Sequence, residues 1–148
     1  MLSVIRSSLG HSGGRFQMLR VTSLDHLVLT VADIDRTVRF YVDVLGMAAQ
    51  EFYPAGGSKR IALVFGAQKI NLHAADAPFA PNAKRASCGR ADLCFLVQGD
   101  LDGWMAQFAR MKVPVEQGPV ARSGAVGAIM SLYLRDPDGN LIEVAVAV

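Results

Sequence analysis

His26, His73, Asp92 and Glu143 are the side chains of this 148-residue chain whose types could together hold a metal ion. Imidazole nitrogen and carboxylate oxygen bind Zn²⁺, Ni²⁺, Mn²⁺ or Fe²⁺ without thiolate, and a site with open positions suits Lewis-acid or iron–oxygen chemistry. Local spacing adds little, for there is no H-x-x-x-H or H-E-x-x-H. Glu143 carries the strongest signal. It stands in Leu141-Ile142-Glu143-Val144-Ala145-Val146, an otherwise apolar run. A carboxylate there must be paired, metal-bound or at an exposed edge; as a ligand it could also pass a proton. For His26 the competing reading is a hydrogen-bonded core or edge histidine, for His73 an exposed strand end, and for Asp92 a strand anchor. Asn71 shares a strand face with His73 and could hydrogen-bond a substrate oxygen. Arg122 could hold an anionic substrate group or be a solvated loop arginine, and Tyr133 is a further substrate-binding candidate. Cys94 reads as a small buried hydrophobe.

These residues need elements to position them, and the chain repeats one unit. Leu24-Asp25-His26-Leu27-Val28-Leu29-Thr30-Val31 is echoed by Ala91-Asp92-Leu93-Cys94-Phe95-Leu96-Val97, and both read as strands. After the first, Asp33 caps a helix whose apolar face is Ile34, Val38, Tyr41, Val42 and Leu45, and Gly46 ends it. Met47–Tyr53 is a strand; Ile61–Phe65 and Lys69–His73 form a hairpin. Residues 75–90, with Pro78, Pro81 and Gly89, show no period and form a linker that joins modules or covers a site. After the second strand, Asp100 or Gly99 caps a helix with Leu101, Trp104, Met105, Phe108 and Met111 on one face; Trp104 and Phe108 read as core. Val115–Glu116 starts a short strand, Gly118–Gly127 is a glycine-rich loop, and Met130–Arg135 and Asn140–Val146 pair across Asp136-Pro137-Asp138-Gly139. Alternation gives each strand an aliphatic face and a mixed polar one. Two such sheets would enclose a cleft with polar groups at its floor.

Composition narrows the function. Hydrophobic residues make up 51% and charged residues 19%, which describes a folded globule. The net charge of +2 is concentrated at the start. Arg6, Arg15 and Arg20 precede the first acid, Asp25, and from there 12 basic residues face 13 acidic ones. No basic stripe points to nucleic acid, and no apolar run is long enough for a bilayer. Cys88 and Cys94 form no C-x-x-C, and no secretory signal opens the chain, so a reducing, cytoplasmic setting is expected. Three readings compete for Met1–Gln17, where His11 reads as exposed: a solvated tail or upstream start with Met18 as a second start, a transit-like peptide that would target an organelle, or a partner-binding arm.

Three segments carry a family resemblance: Asp25–Val31, Phe40-Tyr41-Val42-Asp43-Val44-Leu45-Gly46-Met47, and Asp136-Pro137-Asp138-Gly139-Asn140-Leu141-Ile142-Glu143-Val144. The chain resembles the vicinal-oxygen-chelate superfamily of glyoxalase I, fosfomycin-resistance proteins, extradiol dioxygenases and bleomycin-binding proteins. Ile70-Asn71-Leu72-His73 and Gly118–Ala125 resemble the glyoxalase-domain-containing protein 5 group and its bacterial dioxygenase-related and virulence relatives. The resemblance implies an α+β fold of two tandem βαβββ modules, 22–74 and 91–147, joined by linker 75–90 in one domain behind a flexible 1–21 tail. Mixed curved sheets would surround a cleft, helices would lie outside, and the chain would form a homodimer. It places ligands for one divalent ion on the first and last strands of each module. His26 and Glu143 match; Asp92 stands where histidine is usual, and Asn71 where Glu, Gln or no ligand is usual, with His73 two residues on. The implied activity is a glyoxalase-like lyase or isomerase acting on a small oxygen-bearing substrate chelated to the metal. The alternatives are an extradiol-dioxygenase-like Fe(II) enzyme and a metal-free small-molecule- or drug-binding protein.

Overall fold

The computed structural model describes residues 17–148; the readings of the tail before Gln17, with His11, lie outside the described residues. The first module runs β1 (His26–Val31), α1 (Ile34–Arg39, continuing as a π-helical turn over Phe40–Val44), β2 (Ala48–Phe52), β3 (Arg60–Phe65) and β4 (Gln68–Ala74). The second repeats it as β5 (Asp92–Leu96), α2 (Leu101–Arg110), β6 (Gln117–Ser123), β7 (Ala128–Arg135) and β8 (Leu141–Ala147). Each module forms a four-stranded mixed sheet, ordered β1-β4-β3-β2 and β5-β8-β7-β6. This is the expected α+β architecture of two βαβββ modules. The first strand pairs with the last in parallel and the remaining pairs are antiparallel.

The aliphatic faces build one core. Leu29, Val31, Ile70 and Leu72 of the first sheet and Leu132, Leu134, Ile142 and Val144 of the second are buried with Tyr41 and Phe108. Caps fix where the helices begin: the Asp33 carboxylate accepts from Arg36 N–H, and Asp100 from Gly103 N–H. Gly46, at φ +73°, ends the first helical segment in the left-handed conformation expected of it. β1 and β5 are edge strands that make no ladder with each other. Leu24 and Leu27 share a cavity of about 840 Å³ with Leu93–Gln98, whereas Val28–Thr30 share one of about 240 Å³ with Arg90 and Ala91. The start of β1 therefore lies near the end of β5, and the two first strands pass in opposite directions.

One expected element is different. Residues 118–127 are not one loop: β6 extends through Ser123 and pairs with β7. Its register shifts between Gln117 and Val120, a bulge that accommodates Gly118 and Pro119. β6 is an edge strand, so Pro119 costs the sheet no interior hydrogen bond. Gly118 is required, because at φ +113° a Cβ would run into the Ser131 carbonyl oxygen.

Candidate functional site

Strand register decides which polar residues correspond. In the first sheet His26 lies opposite Lys69, Val28 opposite Asn71, and Thr30 opposite His73. In the second, Asp92 lies opposite Leu141 and Cys94 opposite Glu143. Superposing the two modules on these ladders aligns His26 with Asp92 and Asn71 with Glu143. His73 then aligns with Ala145, one step beyond the position of the glutamate.

Glu143 is half-buried. Its carboxylate accepts a hydrogen bond from the Ser131 hydroxyl and faces Cys94 across the ladder. Cys94 is exposed, not buried as its sequence suggested, because β5 is an edge strand whose polar face is open among the described residues. Its thiol is pushed up to about 11, first by desolvation, then by the charge of and hydrogen bond to Glu143, and last by Asp92. Asp92 itself is exposed at the start of β5. Tyr133 is opposite Glu143 on β7, and the Arg122 Nε–H donates to its hydroxyl at 2.9 Å. Arg122 is thus a strand residue held beside a phenol rather than a loose loop arginine.

His26 is exposed, and its Nδ1 lies 2.7 Å from Asp25 Oδ1. That partner favours the Nδ1–H tautomer and leaves the Nε2 lone pair available, the arrangement usual for a metal-ligating imidazole. His73 differs from the exposed strand end considered for it: it is only 4% exposed. Its ring packs edge-on against Phe79 at 5.4 Å between centroids, and the Arg60 guanidinium lies over the same phenyl, 3.9 Å from its centre. Burial first, then the Arg60 charge, hold the His73 imidazole below its usual range.

The donors suit a divalent ion in kind. Glu143 and Asp92 offer carboxylate oxygen, and His26 offers an oriented nitrogen. Yet His26 and His73 belong to one sheet, Asp92 and Glu143 to the other, and among the described residues no three His, Cys, Asp or Glu side chains form a cluster able to share an ion. The expected convergence of His26, His73, Asp92 and Glu143 is therefore not a closed cluster in the single chain. His73 is the poorest fit, being covered by Phe79 and next to a cation. Sequence reading passed over Ser131, a fully buried hydroxyl on Glu143, and Arg60. A serine in the apolar run Ile129–Leu134 was the available signal.

Two mixed sheets in tandem βαβββ order, with polar groups at corresponding strand positions, define a glyoxalase-type domain. The chain belongs to the Glyoxalase/Bleomycin resistance protein/Dioxygenase superfamily, which it matches over residues 23–144. It is 48% identical to virulence protein STM3117 of Salmonella typhimurium over 125 residues, 84% of each chain. It is 45% identical to glyoxalase domain-containing protein RDO1 of Mycosarcoma maydis over 129 residues, covering 87% of this chain and 70% of that one. Among solved structures, an integron cassette protein of V. Cholerae, VCH_CASS1, superposes with a TM-score of 0.84 at 50% identity, over 88% of this chain and 99% of that one. Further off, lactoylglutathione lyase from Agrobacterium tumefaciens gives a TM-score of 0.62 at 25% identity over 86% and 95% of the two chains. TnmS3, an antibiotic-binding protein from Streptomyces sp. CB03234, shares the fold alone, with a TM-score of 0.65 at 18% identity over 88% and 100%.

Proposed function

We propose that the chain is a glyoxalase-like, divalent-metal-dependent enzyme of lyase or isomerase type acting on a small molecule with neighbouring oxygens. The observation that carries this reading is the ladder correspondence: His26 with Asp92, and Asn71 with Glu143, each on the polar face of its sheet. His26, Asp92 and Glu143 would hold the ion. Bound there, it would supply Lewis-acid polarisation of the substrate oxygens. The remaining work falls to the chain. Glu143, steadied by Ser131, accepts a proton from the carbon beside a polarised oxygen and returns it to the neighbouring one. Tyr133, fixed by Arg122, orients a substrate oxygen next to that carboxylate.

A homodimer is part of this reading. The polar faces of β1 and β5 are open, with Val28 45% and Leu96 67% exposed, and a second copy would cover them while drawing donors of the two sheets together. The similarity to a lactoylglutathione lyase at 25% identity supports enzymatic chemistry. A second reading, a metal-free binding protein, draws on two observations: the donors do not cluster among the described residues of one chain, and the fold is shared with an antibiotic-binding protein. Elemental analysis of chelator-free protein separates them. Wild type is expected to hold about one transition metal per chain, with His26→Ala and Glu143→Ala losing it. Equal metal content in all three would remove the site.

A further inference from the structure

Three buried side-chain atoms among the described residues have no hydrogen-bond partner: Arg60 Nε, Asn71 Oδ1 and His73 Nδ1. They belong to one patch. Arg60 opens β3 beside the His73 end of β4, Asn71 precedes His73 by two residues on the same face, and the residue opposite Asn71 is Ala62, which offers it no hydrogen-bonding side chain. Buried polar groups are paired in nearly all folded proteins, so three orphans side by side point to a missing partner. Against two of them, His73 and Arg60, lies Phe79, an apolar ring that offers neither a conventional hydrogen-bond partner.

The cover is lightly attached. From Pro78 to Gly89 the hydrogen bonds among the described residues stay inside the segment: Ala86 N–H to Ala83 O and the Asn82 side chain to Phe79 O. Most of its residues are exposed. A segment with so few ties opens at low cost. Next to His73 it also leaves the cavity of about 240 Å³, lined by Thr30, Asn82, Arg85 and Arg90. The ladder registers put no carboxylate on this face of the first sheet, and Arg60, Arg85 and Arg90 make no ion pair among the described residues. The site is therefore electropositive and suited to an anion.

The orphan atoms specify the ligand further. Arg60 Nε–H is a donor, and neutral His73 can donate from Nδ1; Asn71 Oδ1 only accepts. A carboxylate takes two donors, and a hydroxyl on the adjacent carbon supplies the hydrogen that Asn71 lacks. We propose that Arg60, Asn71 and His73 are the seat of a small 2-hydroxycarboxylate, and that Phe79 swings out to admit it. This deepens the proposed function by naming its substrate class, and rests on that reading for turnover but not for binding.

The test is an NMR titration of the full chain with glycolate, acetate and glycolamide, following the Arg60 Nε–H, the His73 ring and the Phe79 ring. Glycolate is expected to bind saturably and shift all three signals. Acetate, lacking the hydroxyl, and glycolamide, lacking the charge, bind about tenfold more weakly or worse. Arg60→Gln and His73→Leu each weaken glycolate by about tenfold or more. Phe79→Ala, which removes the covering ring and no hydrogen-bonding side-chain group, tightens it. In chelator-treated wild type the Arg60, His73 and Phe79 shifts on adding glycolate are expected to persist, so failure of the metal site and failure of this seat are read separately. No saturable binding, shifts confined to other residues, or equal affinity in wild type, Arg60→Gln and Phe79→Ala would overturn the assignment. Loss of all three shifts in the chelator-treated protein would do the same, because the acid would then be held at the metal site and not at this seat.

Discussion

Glu143 stands between Ile142 and Val144, both fully buried, and the alternation of β8 turns it to the opposite face, where Ser131 and Cys94 meet it. That much was legible in the sequence, because a lone carboxylate in an apolar strand demands a partner. His73 was less legible. Its ring is buried by Phe79, which arrives from an aperiodic linker that no strand pattern could place. The same burial yields a pH prediction. Unfolded, His73 takes up a proton near pH 6.5; folded, burial and then the Arg60 charge on β3 delay uptake to lower pH. The native state binds fewer protons in that window, so this contribution to stability is complete above about pH 6.5 and is lost as pH falls toward the folded value. Between pH 7.5 and 5.5 the melting temperature of wild type should fall further than that of His73→Gln. Equal falls in the two proteins would contradict the burial argument.

At the scale of elements, the turn between β7 and β8 does more than reverse the chain. The Asp136 carboxylate accepts from Asn140 Nδ2–H, from the backbone of Asp138 and Asn140, and from the Tyr41 hydroxyl at 2.8 Å. Tyr41 is fully buried in the first module's helical segment, so this bond ties one module to the other. Burial first, then the Asp136 charge, push the phenol far above its usual range and keep it a donor. Tyr41→Phe should destabilise the protein by about 1.5–3 kcal/mol, since it removes a buried hydrogen bond to a charged group. Denaturant melts with unchanged slope and a lower midpoint would show it; an unchanged midpoint would mean that the tie is dispensable. The Asp-Pro-Asp-Gly turn was readable as a turn, but its partner 95 residues away was not. The β6 extension was missed for a related reason. Glycine and proline signal a loop locally, while the ladder with β7 that holds them as a bulged edge strand is a tertiary fact.

For the molecule as a whole, duplication carried most of what could be foreseen: two sheets of the same order, a polar face on each, and a helix capped by aspartate in both modules. What duplication could not supply is the distance between the two polar faces. The first sheet's face is basic around Arg60, Lys69 and His73, whereas the second presents Asp92 and Glu143. Second-sheet carboxylates that attract a cation, and a basic Arg60–His73 end of the first sheet that attracts an organic anion, are the division of labour this distribution supports. If a second copy covers β1 and β5, sedimentation should give a dimer for wild type, and Val28→Lys with Leu96→Lys should shift it to monomer. A monomeric wild type at micromolar concentration would exclude that arrangement.

The central claim is that His26 and Glu143, from different sheets, bind one ion. Anomalous diffraction from crystals soaked in Mn²⁺ or Zn²⁺ tests it most directly. The account predicts one strong peak per chain, about 2.0–2.2 Å from a Glu143 oxygen and from His26 Nε2 of the same or a second copy. A peak on His73 alone, or none on either residue at full soak, would contradict it.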